Sequence, residues 1–131
     1  MSKKHLKTSL RIWHPTIPAQ GIYPSINLEL VRQWSCGESR ATPKGTPLSG
    51  VYKETYCCFD LIDNASQDLS FVLSSANEEL QRSGELIREV VTTGGRIEYY
   101  VSLSGGMGFE FDGSLISELS ELKISLAVEA I

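Results

Sequence analysis

The alternation of apolar and polar residues along the chain predicts a series of strands and helices. Strands with apolar residues at every second position, or rich in β-branched and aromatic residues, are predicted over 7–14, 30–35, 51–62, 97–103 and 124–130. Apolar residues at helical spacing predict a helical region over 67–92, broken at Ser83-Gly84, and a shorter helix over 115–122.

The stretch 17–28 gives a mixed signal. Ile22 and Ile26 lie four residues apart, as on one face of a helix, but Gly21 and Pro24 both oppose a regular helix. We therefore expect at most a short or broken helix between the first two strands.

The order of these elements is β-α-β-β-α-β-α-β, and its first six members match the split βαβ arrangement of ferredoxin-like folds. We therefore predict a single α+β domain over 1–131. Its mainly antiparallel sheet has about five strands and carries helices on one face, because the second face of the strands is polar. A C-terminal helix and strand extend the βαββαβ core. The side chains expected to be buried are Leu73, Leu80, Ile97, Tyr99, Val101, Leu126 and Val128.

Composition places the chain among globular proteins, with 41% hydrophobic and 21% charged residues. No apolar run approaches the length of a membrane span, and Met1–Lys7 is not followed by an apolar core, so we expect no membrane association and no signal peptide. The odd number of cysteines, Cys36, Cys57 and Cys58, does not suit a disulfide framework and favours a reducing, cytoplasmic compartment.

Charge is distributed unevenly along the sequence. Residues 1–53 hold eight basic and two acidic residues, whereas residues 54–131 hold four basic and fourteen acidic ones, which gives the net charge of -4. Either the charges of the two halves interleave in the fold, or the basic half forms a positive surface for an acidic partner or anionic ligand. Nucleic acid is not expected as a partner, because the whole chain is acidic and repulsion would oppose phosphate contacts.

The segment from Trp34 to Tyr52 is the candidate binding surface. It contains several glycines and prolines, which favour turns, together with the cations Arg40 and Lys44. Aromatic residues and arginine dominate interface energetics, so we identify Trp34, Arg40, Lys44 and Tyr52 as candidate partner-binding residues. The alternative is that Trp34 and Tyr52 only pack this loop onto the sheet, while Arg40 neutralises an acid.

Catalytic and metal sites receive less support from the sequence. Cys57 and Cys58 are adjacent on a strand and so point to opposite faces, which prevents them from sharing a metal ion. Cys36 and His14 permit a thiol–imidazole pair, but any chain with both residue types does so. We therefore expect no catalytic residue, no metal and no cofactor.

Five segments together carry a family resemblance, and these are Leu10–Pro15, Trp34–Arg40, Thr42–Pro47, Gly50–Tyr52 and Gly94–Glu98. On these segments the chain resembles an uncharacterised bacterial family, the domain of unknown function DUF4279, over nearly its whole length. This sequence departs from the family pattern at Gly21 and Pro24, where the family carries a regular helix. The resemblance implies a bacterial, single-domain protein and brings no reaction, cofactor or catalytic residue with it.

The leading hypothesis is a small non-enzymatic interaction module that binds a protein partner through residues 34–52. An immunity-type protein that covers the site of a toxin is one version of it, by analogy alone. The rival hypothesis is an enzyme or small-anion binder that uses the cationic loop with Cys36 or His14. Whether the chain forms a homodimer stays open at this point.

Overall fold

The computed structural model describes residues 6–61 and 68–131 of the chain. Its strands are β1 (Leu6–His14), β2 (Glu29–Trp34), β3 (Ser39–Ala41), β4 (Pro47–Val51), β5 (Thr55–Leu61), β6 (Arg96–Leu103) and β7 (Ile124–Ala130). Its α-helices are α1 (Leu69–Arg82), α2 (Gly84–Thr92) and α3 (Gly113–Leu122).

The main sheet has five strands in the order β2-β5-β1-β6-β7. Neighbouring strands are antiparallel except β6 and β7, which are parallel because α3 crosses over between them. The strands β2, β5, β1 and β6 are ordered as in a ferredoxin-like core, and α3 with β7 extends that core. The predicted fold class, α+β with a mainly antiparallel sheet, is confirmed.

Between β1 and β2 the chain forms two short 3-10 turns, Ala19–Gly21 and Tyr23–Ser25. The expectation of at most a broken helix is therefore confirmed. Pro24 occupies an early position in the second turn, where its missing N–H is not needed.

The turn-rich segment between the predicted strands 30–35 and 51–62 contains the two-stranded hairpin β3–β4. The single strand predicted over 51–62 is wrong at its start, because β4 ends at Val51 and β5 begins at Thr55; Ile62 lies outside the described residues. Tyr52 follows β4 directly, and its amide donates to the Glu38 backbone oxygen at 3.0 Å. Its hydroxyl donates to the backbone oxygen of Ala41 at 3.0 Å, which fastens the end of β4 to β3.

The helices begin and end at recognisable caps. Asp68 caps α1 by accepting a hydrogen bond from the Ser70 amide at 3.3 Å, while Gln67, the first residue of the predicted helical region, lies outside the described residues. The predicted break falls at Ser83, between α1 and α2. Asp112 caps α3 by accepting from the Leu115 amide at 2.8 Å.

One hydrophobic core lies between the sheet and the helices. The predicted burial is confirmed for Leu73, Leu80, Ile97, Tyr99 and Val101, and Leu126 is half-buried. The prediction is wrong for Val128, which exposes 51% of its surface. This residue lies on the edge strand β7, where no further strand among the described residues covers its outer side.

Removal of one buried hydroxyl should measurably destabilise this core. The Tyr99 hydroxyl donates to Asn77 Oδ1 at 2.6 Å, and Asn77 Nδ2 donates to Glu118 Oε1 at 2.9 Å. Tyr99→Phe leaves the buried Asn77 oxygen without this donor, so we expect a loss of about 1–3 kcal/mol in the free energy of unfolding. Urea denaturation followed by circular dichroism measures it.

The adjacent Tyr100 provides the matched control. It lies on the opposite face of β6, and its hydroxyl donates to the exposed carboxylate of Glu129. Tyr100→Phe should therefore change stability by no more than ~0.5 kcal/mol. Equal losses in the two variants would show that the Asn77 contact does not stabilise the core.

Candidate functional site

The face of the sheet opposite the helices carries a continuous row of aromatic side chains. Trp34 on β2 lies opposite Tyr56 on β5, Tyr56 lies opposite Trp13 on β1, and Trp13 lies opposite Arg96 on β6. Directly opposed residues of antiparallel strands share a face, so these side chains project from the same side. We call Tyr52, Trp34, Tyr56 and Trp13 the aromatic row.

The rings of the aromatic row are in contact with one another. Tyr52 stacks on Trp34 with ring centroids 4.3 Å apart and planes inclined by 10°. The Trp34–Tyr56 centroid distance is 4.7 Å, and the Trp13–Tyr56 distance is 5.4 Å. Such pairs contribute about 0.5–1.5 kcal/mol each beyond their burial. The row is therefore a continuous aromatic surface, and Tyr52 joins it to the β3–β4 hairpin.

Arginine side chains lie over these rings. The Cζ of Arg96 lies 4.1 Å and that of Arg11 5.2 Å from the centroid of the Trp13 ring. Arg32 lies 4.9 Å from the Trp34 centroid. Guanidinium groups at these distances are attracted to the ring faces. The face thus combines flat apolar surface with hydrogen-bond donors.

Two of these arginines also form ion pairs with acidic side chains. Arg11 forms an ion pair with Glu98, and Arg96 Nη2 lies 3.5 Å from Glu54 Oε1. Burial alone would lower the pKa of Arg11, but the hydrogen bond and charge of Glu98 outweigh it and raise the pKa. Among the described residues, no carboxylate lies within salt-bridge distance of Arg32. The unequal charges of the two halves are thus partly interleaved.

The four candidate residues of the 34–52 segment have different positions. Trp34 and Tyr52 are half-buried in the aromatic row, and Trp34 Nε1 donates to the Glu54 backbone oxygen at 3.1 Å. Arg40 is exposed on β3 and donates to the Ser49 backbone oxygen at 3.2 Å. Lys44 is exposed in the turn of the hairpin, next to Gly45 with a φ of 88°. The aromatic pair is brought together, while the two cations lie on the hairpin.

A groove of about 370 Å³ separates β2 from the hairpin. Its wall on the sheet side is formed by Leu30–Trp34, and its other wall includes Glu38, Ala41, Pro43 and Tyr52. Because Arg32 and Glu38 both line it, the groove offers one cation and one anion beside apolar surface. Trp34 and Tyr52, which also line it, connect the groove to the aromatic row.

His14 and Cys36 are not arranged as a catalytic pair. His14 is fully buried, and its Nδ1 accepts hydrogen bonds from the amides of Thr16 and Ile17 at 3.0 and 2.8 Å. Its Nε2 therefore carries the proton and donates to Thr93 Oγ1 at 2.6 Å. Cys36 Sγ instead lies 3.6 Å from the Thr16 backbone oxygen. Both imidazole nitrogens are engaged, so His14 has a structural role.

The two adjacent cysteines point to opposite faces of β5, as the sequence predicts. Cys57 is buried on the core side, where burial raises the pKa of its thiol to about 12. Cys58 is half-buried on the open face beside Tyr56. Cys57 is therefore a protonated, inert core residue at neutral pH.

The sequence interpretation missed the contribution of β1, β5 and β6 to this face. It did not single out Trp13, Tyr56, Arg11 or Arg96 as candidate residues. The available signal was the alternation itself, because it places Arg11 and Trp13 on the face opposite Leu10 and Ile12. Assembling the row also required the strand order of the sheet, which local alternation does not give.

Comparison of the chain with protein-family models, curated proteins and solved structures found no significant match. No helix in the described residues is both long enough and apolar enough to cross a membrane. Among residues 6–61 and 68–131, no three histidine, cysteine or acidic side chains are grouped as metal ligands.

Proposed function

We propose that this protein is a non-enzymatic interaction module, whose protein partner binds the open face of the sheet at the aromatic row and the β3–β4 hairpin. The observation that carries the proposal is the row itself, with arginines over its rings and no helix among the described residues packed on it. Tryptophan, tyrosine and arginine are the residue types most enriched at energetically dominant interface positions.

The same geometry favours a protein over a nucleic acid. Bases bind open sheets by stacking on uncovered aromatic faces. Here the Trp13 ring lies under Arg11 and Arg96, and the Trp34 ring is stacked against Tyr52. The chain is also acidic overall, with a net charge of -4. A protein surface contacts the edges and guanidinium groups of such a row without needing a free ring face.

A second candidate function is the binding of a small anionic ligand at the groove between β2 and the hairpin. Its support is a local excess of positive charge. Among the described residues, Arg32, Arg40 and Lys44 have no carboxylate within salt-bridge distance. Glu38, which also lines the groove, uses a carboxylate oxygen to accept from the Ser35 amide.

The proposal includes a cellular setting, which the sequence supports. We place the protein in the bacterial cytoplasm and in the DUF4279 family, on the basis of its unpaired thiols and the motifs around Trp34 and Gly94. An immunity-type role is the narrower version of the function. A toxin gene beside its own gene would support that version.

Charge reversal at Arg32 tests the proposed contact surface. The side chain is exposed, so Arg32→Glu should cost no more than about 1 kcal/mol of stability through its lost contact with Trp34. Binding of a protein captured from lysate of the source organism should weaken at least about tenfold, which is ~1.4 kcal/mol. The affinity is measured by calorimetry with the purified partner.

Arg88→Glu is the matched control, because Arg88 is exposed on α2 in the helical layer. It should leave binding unchanged. Loss of binding with Arg88→Glu and not with Arg32→Glu would place the contact on the helices and overturn the proposal. A rise in Tm with phosphate or citrate that is lost in Arg32→Glu, without any protein partner, would favour the small anion. Binding of a single-stranded oligonucleotide would contradict both candidates.

A further inference from the structure

The edge strand β7 is not protected against pairing with another strand. It pairs with β6 in regular register over its whole length, and among the described residues no strand pairs with its outer edge. It contains no proline and a single charged residue, Glu129. Natural sheets usually blunt their edges with bulges, charges or proline. The opposite edge strand, β2, has such devices, namely a register shift between Leu30 and Arg32 and two charged residues.

Apolar side chains are exposed along this same edge. Val128 exposes 51% and Ile131 64% of its surface. Ile116, which exposes 56%, lies on α3, the helix that leads directly into β7. Unprotected backbone and exposed apolar surface thus occur together.

We propose that β7 pairs antiparallel with β7 of a second copy of this chain, around a two-fold axis at Ala127. Opposed residues of antiparallel strands share a face, so this register places Leu126 opposite the partner copy's Val128. Ser125 then lies opposite the partner copy's Glu129, and its hydroxyl can donate to that carboxylate. No two like charges face each other, and the small Ala127 lies on the axis. The strand is therefore complementary to itself, as a two-fold interface requires.

This pairing does not depend on the proposed function, but it would determine how two aromatic rows are presented to a partner. A two-fold axis perpendicular to the sheet keeps both helical layers on one side and both open faces on the other. The dimer would contain one continuous sheet of ten strands, five from each copy. Two aromatic rows would then face the same direction, and a partner with two epitopes would gain avidity.

The first experiment measures self-association of the full chain by analytical ultracentrifugation over a micromolar concentration series. We expect a concentration-dependent dimer. Val128→Lys should weaken it at least about tenfold, because it buries a cation against Leu126. Val31→Lys is the control, since Val31 is equally exposed, at 54%, on the opposite edge strand β2. A monomer at every concentration, or dissociation by Val31→Lys alone, would overturn the proposal.

Cysteine cross-linking tests the register without disturbing the interface. Directly opposed Cα atoms lie about 4.5–5.5 Å apart in antiparallel pairs, within the range that a disulfide spans. Ala127→Cys should therefore form an intermolecular disulfide under mild oxidation. Ser125→Cys should not, because it faces Glu129 instead of itself. The unmodified chain, treated identically and mapped by peptide mass, accounts for Cys36, Cys57 and Cys58. Equal cross-linking of both variants would contradict this register.

Discussion

Gly95→Ala should destabilise the protein by about 3 kcal/mol or more, because the position has no space for a methyl group. An added Cβ would lie 2.6 Å from the Val90 backbone oxygen, 2.7 Å from Val90 Cγ1 and 2.8 Å from His14 Cδ2. None of these atoms is the far end of a flexible side chain. Val90 and His14 are both fully buried, so neither side chain has room to move away.

The contact arises from the way in which α2 ends. Gly94 adopts a φ of 101°, and the Gly95 amide donates to the Val90 backbone oxygen at 2.7 Å, which reverses the chain into β6. An alanine at 95 would push against the oxygen that its own amide must reach. The substitution therefore breaks the cap and the packing together.

Gly113→Ala is the control for the Gly95 prediction. Gly113 is the first residue of α3, its added Cβ would meet no atom within 4 Å, and its φ is not positive. Alanine there should be neutral or stabilise by up to ~1 kcal/mol, because it restricts the unfolded chain. Urea denaturation of both variants at one pH measures the difference. A loss below about 1 kcal/mol for Gly95→Ala would show that the helix end relaxes easily.

The parts of the fold that follow from local periodicity were predictable from the sequence. In β6, Ile97, Tyr99 and Val101 alternate with polar residues, and the predicted buried face is the observed one. The edge strand β7 has the same alternation and was placed within its observed limits, yet Val128 is exposed. Periodicity assigns a side chain to a face, but the neighbouring elements decide whether that face is covered.

The hairpin and the aromatic row depend on contacts that local patterns do not contain. Every residue of β4 is exposed, so the strand has no apolar face from which it could be recognised. Trp13 and Tyr56 lie far apart in sequence and become neighbours only through the pairing of β1 with β5. The candidate residues Trp34 and Tyr52 were identified because they share one turn-rich segment. Their partners on β1, β5 and β6 could be identified only with the strand order of the sheet.

His14 should make the stability of the protein depend on pH in the range just below neutrality. Burial lowers the pKa of His14 below its usual 6.5, although the charge of nearby Glu89 raises it in part. Protonation would also place a hydrogen on Nδ1, which faces the amides of Thr16 and Ile17. His14 therefore binds a proton less readily in the folded state than in the unfolded state.

The direction of the pH dependence follows because the pKa of His14 is lower in the folded state than in the unfolded state. Above pH 6.5 the histidine is neutral in both states, and the full stability is present. As the pH falls below 6.5, the unfolded state binds a proton first, so the free energy of unfolding decreases by at most about 1.4 kcal/mol per pH unit. The decrease attributable to His14 ends once the pH passes below the folded-state pKa.

Two substitutions separate this titration from the loss of packing. His14→Ala should cost about 3–5 kcal/mol, because it leaves a cavity and removes the acceptor of two buried amides. His14→Asn retains an acceptor for those amides but does not titrate. Between pH 7.5 and 5.5, urea denaturation should show stability falling more steeply for the wild type than for His14→Asn. The two proteins differ at this one position, so the remaining pH dependence cancels in the comparison. Parallel pH profiles would mean that His14 does not control the acid sensitivity of the fold.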